Sequence, residues 1–357
     1  MYEYSHGGNA AFESGNENII DLSANINPLG LPTGVSHAII SEISKLMSYP
    51  DNSSRKLRDK IAEFENVDPE WIFCSNGGSD IIFWLPRAMK AKKVMLMAPT
   101  FSDYERSAAS YGANIIHHFL SVDNDFDIDR GLIDAVRHNQ PDLIYICNPN
   151  NPTGRLTDIN LIRELLDIFK ANNSYVAIDE CFLDFTDGAS NHTSKVFLED
   201  YSNLIILKAF TKLFTMPGVR LGYALCSSKE IIDSLYFHGP DWAVSNLAQS
   251  AGIAALEGAD AFVKATVEYV SEERNKLENE LMLLGYQTFE AKANYIFFRS
   301  LYAFDLKEEL NKEGIRIRSC SNYHGLDSSY YRIAVSTKEN NEAALQAIAQ
   351  ITKGYNS

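Results

Sequence analysis

A lysine amine becomes a chemical tool, not a surface charge, when the chain around it is apolar and other donors stand beside it. Lys212 meets that description in "KAFTKLFTMPGVRLGY", residues 208–223, which follows the apolar run "LIIL". Its amine could form a Schiff base with a carbonyl, and Thr211 and Arg220 in the same loop could hold a phosphate. A lone loop lysine is ordinarily solvated, so the reading depends on its companions. Asp179 closes "YVAID", where a buried carboxylate is costly without a cationic partner; a helix cap is the plain alternative. "NPNNPTG", residues 148–154, fixes a turn that can present the Asn151 amide. "SNGGSD", residues 75–80, would bring the Gly78 and Ser79 N–H groups to an anion at a helix N-terminus. Phe101 in "APTFSDY" offers a ring to stack on a planar heterocycle, or else a core aromatic.

Together these groups suit pyridoxal 5′-phosphate (PLP). Asp179 would keep the pyridinium nitrogen protonated, so that the ring acts as an electron sink. Asn151 would meet the phenolic O3′ and Phe101 the ring face, while Gly78, Ser79, Thr211 and Arg220 take the phosphate. In this order the motifs resemble fold-type I PLP enzymes, the histidinol-phosphate aminotransferase group in particular. The resemblance implies a large domain with a mostly parallel sheet sandwiched by helices, and a smaller C-terminal α/β domain. It also implies a homodimer, in which Tyr49 of "YPD" reaches the cofactor phosphate of the neighbouring subunit. Where relatives often place Ser or Thr three residues before the lysine, this chain has Ala209, which removes one phosphate contact. Lys208, in the place of a frequent Arg, is a candidate to compensate.

Further segments, "HGGN" at 6–9, "DLSANINPLG" at 21–30 and "IRSCSNYHGLDSSYYRIAV" at 317–335, are similar to the threonine-phosphate decarboxylases of cobalamin biosynthesis. That resemblance implies O-phospho-L-threonine as substrate, a molecule that needs two anion sites. Arg332 resembles the carboxylate-binding arginine of the fold type. Arg318 is then the cation for the substrate phosphate, helped by His6, Gly7, Gly8 and by Asn25 or Asn27. Paired surface arginines are the bland alternative, weakened by the apolar runs that hold both residues. Phe182 stands where many aminotransferases of the fold carry a tyrosine that bonds O3′, as in the decarboxylases. A histidinol-phosphate-type aminotransferase is the second reading, and a non-catalytic PLP-binding sensor the third; the third lacks the basic helix-turn-helix extension it would need. Serine phosphate and threonine phosphate differ by one methyl group, worth only about 1–3 kcal/mol in a pocket, and are not separated here.

The elements that must position these residues are short apolar runs alternating with amphipathic stretches. "WIFCS", "VMLMA", "LIYIC", "YVAID", "LIILK" and "GYALC" read as strands buried on both faces of a mostly parallel sheet. The stretch 157–172 reads as a helix opened by Thr157 or Asp158. Past about residue 240 long helices precede strands at "NYIFFRS", "IRIRS" and "YYRIAV". The expected division is an N-terminal arm at 1–35 that completes the site, a large PLP-binding domain at 36–245 and a small domain at 246–357. In 357 residues the net charge is −15, which argues against nucleic acid or an anionic membrane as partner. The partner expected is a small phosphorylated amino acid. Five widely spaced cysteines without a CxxC pair predict neither a disulfide framework nor a metal site. With a polar N-terminus and no apolar run of membrane-spanning length, the reading is a cytoplasmic protein.

Overall fold

The computed structural model describes Gly8 and residues 19–356. Near-continuous apolar runs cannot leave either face in water, and they assemble a seven-stranded sheet covered on both sides. Its strands are β2 (Ile72–Ser75), β3 (Lys93–Ala98), β4 (Asn114–Phe119), β5 (Leu143–Cys147), β6 (Tyr175–Asp179), β7 (Leu204–Ala209) and β8 (Gly222–Leu225), after a two-residue β1 at Ile20–Asp21. The order is β2-β8-β7-β6-β5-β3-β4. Neighbours β4, β3, β5, β6 and β7 run parallel, and only β8 opposes both of its partners. Alternate residues of each central strand enter two separate apolar clusters, with Ile144 and Ile146 in one and Leu143 and Tyr145 in the other. That alternation is the two-sided burial expected of parallel strands between helices.

Six of the seven strands coincide with the predicted runs. The exception is β4, whose "NIIHHF" is half-buried at the sheet edge; the paired histidines break the apolar pattern that marked the others. The predicted helix is Ile159–Ala171, with the Asp158 side chain accepting from the Asn160 and Leu161 N–H groups.

The C-terminal part builds a second sheet from β9 (Gln287–Phe289), β10 (Tyr295–Arg299), β12 (Arg318–Ser319) and β13 (Tyr330–Ala334), in the order β12-β13-β10-β9. The predicted strand "IRIRS" is divided between two sheets. Its first half, β11 (Ile315–Arg316), pairs in parallel with β1, while Arg318–Ser319 pairs with β13. The segment before the large body is thereby stitched to the C-terminal one. The Asn246–Leu256 helix packs on the Val35–Glu42 and Arg55–Glu65 helices, and the 25-residue Ala259–Leu283 helix leads to the C-terminal body. Among the described residues no helix is long and apolar enough to cross a membrane.

This topology gathers one end of every parallel strand. Ser75, Ala98, Cys147, Asp179 and Ala209 are the last residues of β2, β3, β5, β6 and β7. The crevice beyond the carboxyl ends of such strands is the position where open α/β sheets bind ligands.

Candidate active site

The predicted residues do meet there. A single cavity is lined by Asn25, Gly78, Ser79, Phe101, Asn151, Asp179, Thr211, Lys212, Arg220, Arg318 and Arg332. Those from the large sheet sit at strand ends or in the loops and helix starts next to them, and the two arginines Arg318 and Arg332 come from the C-terminal sheet.

One end of the cavity is prepared for an anion. The Gly78–Ala88 helix starts without any side-chain cap, so its first N–H groups and the positive end of its dipole point outward. Arg220 lies against this end: a Cβ on Gly77 would fall 2.8 Å from the arginine Nη2. Gly222 is as constrained, since a Cβ there would fall 2.4 Å from the Gly78 nitrogen. A guanidinium beside a helix N-terminus is a repulsive pair unless an anion lies between them, which is what a cofactor phosphate would supply. Ala209 faces Gly78 with its methyl group and offers no donor. Lys208 does not replace it: the ammonium is buried with Glu65 at 3.1 Å and Asp184 at 3.0 Å, outside the cavity lining.

At the centre, Asp179 is buried and accepts hydrogen bonds from the Tyr104 hydroxyl at 2.7 Å and the Cys181 N–H at 3.0 Å. Tyr104 is a positioning residue that the sequence reading passed over. Its signal was present in "FSDY", one helical turn beyond Phe101. Tyr104 is fully buried and stacks on Tyr145, with centroids 4.9 Å apart. Burial first, and then the Asp179 carboxylate, push its phenol well above the usual range, so it remains a donor.

The Lys212 amine sits 5.9 Å from the Phe182 ring centre. Its pKa is lowered to about 8, first by burial and then by the positive charges of Arg332 and Arg220, with Cys181 and Asp179 acting in the opposite direction. A lysine so placed is a usable nucleophile and proton carrier near neutral pH.

Arg332 and Arg318 form the far wall. They stand directly opposite each other in the β12–β13 pair, where cross-strand like charges destabilise the sheet. Arg332 donates through Nη1 to Asn151 Oδ1 and through Nη2 to the Ser23 carbonyl at 2.7 Å. Its Nε, like Asn25 Oδ1, is buried without a partner among the described residues. Arg318 is braced by Asn322 Oδ1 at 2.9 Å and lies over Tyr323, 5.7 Å from the ring centre. An arginine Nε buried without a partner in a cavity wall calls for an acceptor such as a carboxylate. The residues present therefore fit PLP together with an anionic amino acid.

Other expected residues lie elsewhere. Asn27 is buried but spends its amide on the Leu213 carbonyl and Thr266 Oγ1, both at 2.8 Å, while its Oδ1 accepts from Leu29. It ties the arm to the lysine loop and does not touch the cavity, so a substrate role for it is corrected to a positioning one. Gly8 is exposed and donates to Ser23 Oγ at 3.1 Å, and it too does not line the cavity. Tyr49 is 78% exposed, stacks on Trp242 and does not line the cavity of its own chain. His6 and Gly7 lie outside the described residues.

The comparisons with known proteins agree with this geometry. Residues 17–348 match the family described as aminotransferase class I and II. The chain is 32% identical to the threonine-phosphate decarboxylase of Salmonella typhimurium, over 99% of this chain and 98% of the relative. It is 29% identical to the histidinol-phosphate aminotransferase of Methanococcus aeolicus, over 94% of this chain and 90% of the relative. The solved structure of histidinol-phosphate aminotransferase from Sinorhizobium meliloti in complex with pyridoxal-5′-phosphate aligns with a TM-score of 0.87 at 18% identity, covering 99% of this chain and 96% of that one. The chain belongs to the class I and II aminotransferase family and has the fold-type I PLP-dependent architecture.

Proposed function

We propose that this member of the class I and II aminotransferase family binds PLP and decarboxylates O-phospho-L-threonine to (R)-1-amino-2-propanol O-2-phosphate, the linker of the corrinoid nucleotide loop. The observation that carries the reading is the Arg318–Arg332 pair. Two guanidinium groups on one face of one strand pair suit a substrate with two anionic groups, and each anion removes part of the repulsion between them. Arg332 takes the carboxylate, aided by Asn25, and Arg318 takes the phosphate.

PLP, when bound, supplies the electron sink that accepts the pair left on Cα as CO₂ departs. Asp179, fixed by Tyr104 and the Cys181 N–H, holds the ring nitrogen protonated. Phe101 and the Asn151 amide hold the ring in place, and Arg220, Thr211 and the Gly78–Ser79 N–H groups hold its phosphate. Arg318 anchors the substrate's far end and, with Arg332 on the carboxylate, would fix which bond at Cα is presented for cleavage. The Lys212 amine would return a proton to Cα. Two chains assemble as a homodimer, with Tyr49 serving the neighbouring site.

The test offers O-phospho-L-threonine to the PLP-loaded protein and follows CO₂ beside keto-acid-dependent amino transfer. Wild type should release CO₂. Arg318→Ala should lose about ten- to a hundredfold against the phosphorylated substrate, the worth of one charge-assisted contact of about 1.5–3 kcal/mol, and far less against threonine. Amino transfer without CO₂ release would select the histidinol-phosphate aminotransferase reading, consistent with the relative at 29% identity. Equal losses on both substrates would remove Arg318 from the phosphate site.

A further inference from the structure

A second cavity opens behind Arg318 and Tyr323, which line both it and the lysine cavity. In its wall three side chains from distant segments converge: Glu105 of the Ser102–Tyr111 helix, His117 of β4 and His324 of the loop between β12 and β13. His324 Nε2 lies 2.9 Å from Glu105 Oε2, and His117 Nε2 lies 3.8 Å from Glu105 Oε1. The two imidazole centres are 4.5 Å apart, and one ligand atom from each of the three residues fits within 4.8 Å of the others. Around a tetrahedral zinc with bonds of about 2.0–2.1 Å, ligand atoms stand about 3.3 Å apart, a spacing these side chains could reach from where they lie. Without a cation the arrangement is poor: one carboxylate serves two imidazoles that face each other, and both cannot carry a proton cheaply.

We propose that Glu105, His117 and His324 bind a divalent first-row transition metal, zinc foremost, with the fourth position open to the second cavity. Two imidazoles and a carboxylate are the donor set such ions favour over magnesium or calcium. The ion joins the two bodies, because Glu105 and His117 belong to the large sheet and its helices while His324 rides on the loop that follows Arg318. The same loop packs against β4: a Cβ on Gly325, which has φ +81°, would lie 3.4 Å from Phe119, in van der Waals contact. Metal therefore holds the wall bearing Arg318 and Tyr323 against the large body.

The experiment titrates the full-length, PLP-loaded protein with zinc by calorimetry and with cobalt(II) by absorption, alongside His324→Ala and Glu105→Gln. His324 is largely exposed, so its truncation leaves the core intact. One equivalent of zinc should bind to wild type and raise its thermal midpoint. Losing a direct ligand should weaken binding by about tenfold or more, since even outer partners of metal ligands are worth about 10–100-fold, and the thermal gain should disappear in both variants. Cobalt should give visible bands without thiolate charge transfer. The proposal is overturned if wild type takes up no zinc at about 100 µM, if both variants bind as wild type does, or if thiolate bands place the metal on a cysteine.

Discussion

The depressed pKa of Lys212 gives the most direct check on the electrostatics of the cavity. Its fall from the ordinary 10.5 to about 8 corresponds to about 3 kcal/mol against the charged amine. At about pH 7.5 roughly a quarter of the lysine is then neutral, against about a thousandth for an unperturbed one. Burial is the first cause, and the charges of Arg332 and then Arg220 follow. Arg332→Gln keeps an amide donor for Asn151 Oδ1 but deletes the charge, and should raise the midpoint. Arg220→Gln should raise it by less. The assay adds PLP to the cofactor-free protein at a series of pH values and follows the absorbance of the lysine-linked cofactor, reading the pH midpoint of the capture rate and not its amplitude, because Arg220 is also the proposed phosphate partner. Wild type should give a midpoint near 8. Since the folded value lies below the unfolded one, the unfolded chain holds the extra proton between about 8 and 10.5. Stability owed to this group thus rises with pH across that window and is lowest below it. An unchanged or lowered midpoint in Arg332→Gln would refute the assignment of the shift to the arginine.

Two more outcomes follow from the same cavity. Lys212→Ala should abolish turnover and the borohydride-reducible link to PLP, and a link that persists at another lysine would show the wrong amine was chosen. Tyr104→Phe removes the 2.7 Å hydrogen bond to Asp179, worth about 1.5–3 kcal/mol for a charged acceptor. PLP should still bind, kcat should fall by about tenfold or more, and the absorbance maximum of the bound cofactor should shift; normal kcat with an unshifted spectrum would make Tyr104 a packing residue only.

Those readings depend on contacts whose legibility in the sequence differed by physical type. The cofactor half was readable because its residues lie at or just beyond strand ends, and a strand buried on both faces announces itself as a short apolar run that stops at a loop. Gly78, Phe101, Asn151, Asp179 and Lys212 all follow such runs. The topology then places the loops together with no further information. The same logic failed at β4, where His117 and His118 interrupt the run, so the strand carrying one of the proposed metal ligands was not anticipated.

Side-chain partners selected by packing gave no such signal. Nothing in "SANINP" distinguishes Asn25, which lines the cavity and whose Oδ1 has no partner among the described residues, from Asn27, whose amide is consumed by Leu213 and Thr266. The two differ by two positions, and only the path of the chain past the lysine loop separates them. Lys208 is similar: its charge could have served a phosphate, yet it is the residue before Ala209 on β7, and successive strand residues point to opposite faces. Ala209 lines the cavity, and Lys208 is therefore sent to the other side, where Glu65 and Asp184 hold it. The alternation that locates a strand also decides which of two adjacent residues can reach the ligand. "IRIRS" shows the converse. Its residues 316 and 318 share a face by period two, but Ile317 is where the strand leaves β1 and joins β13. Only Arg318 consequently comes to stand across from Arg332. The register of β12 against β13 is thus what brings Arg318, the second of two alternating arginines, to the cavity wall opposite Arg332.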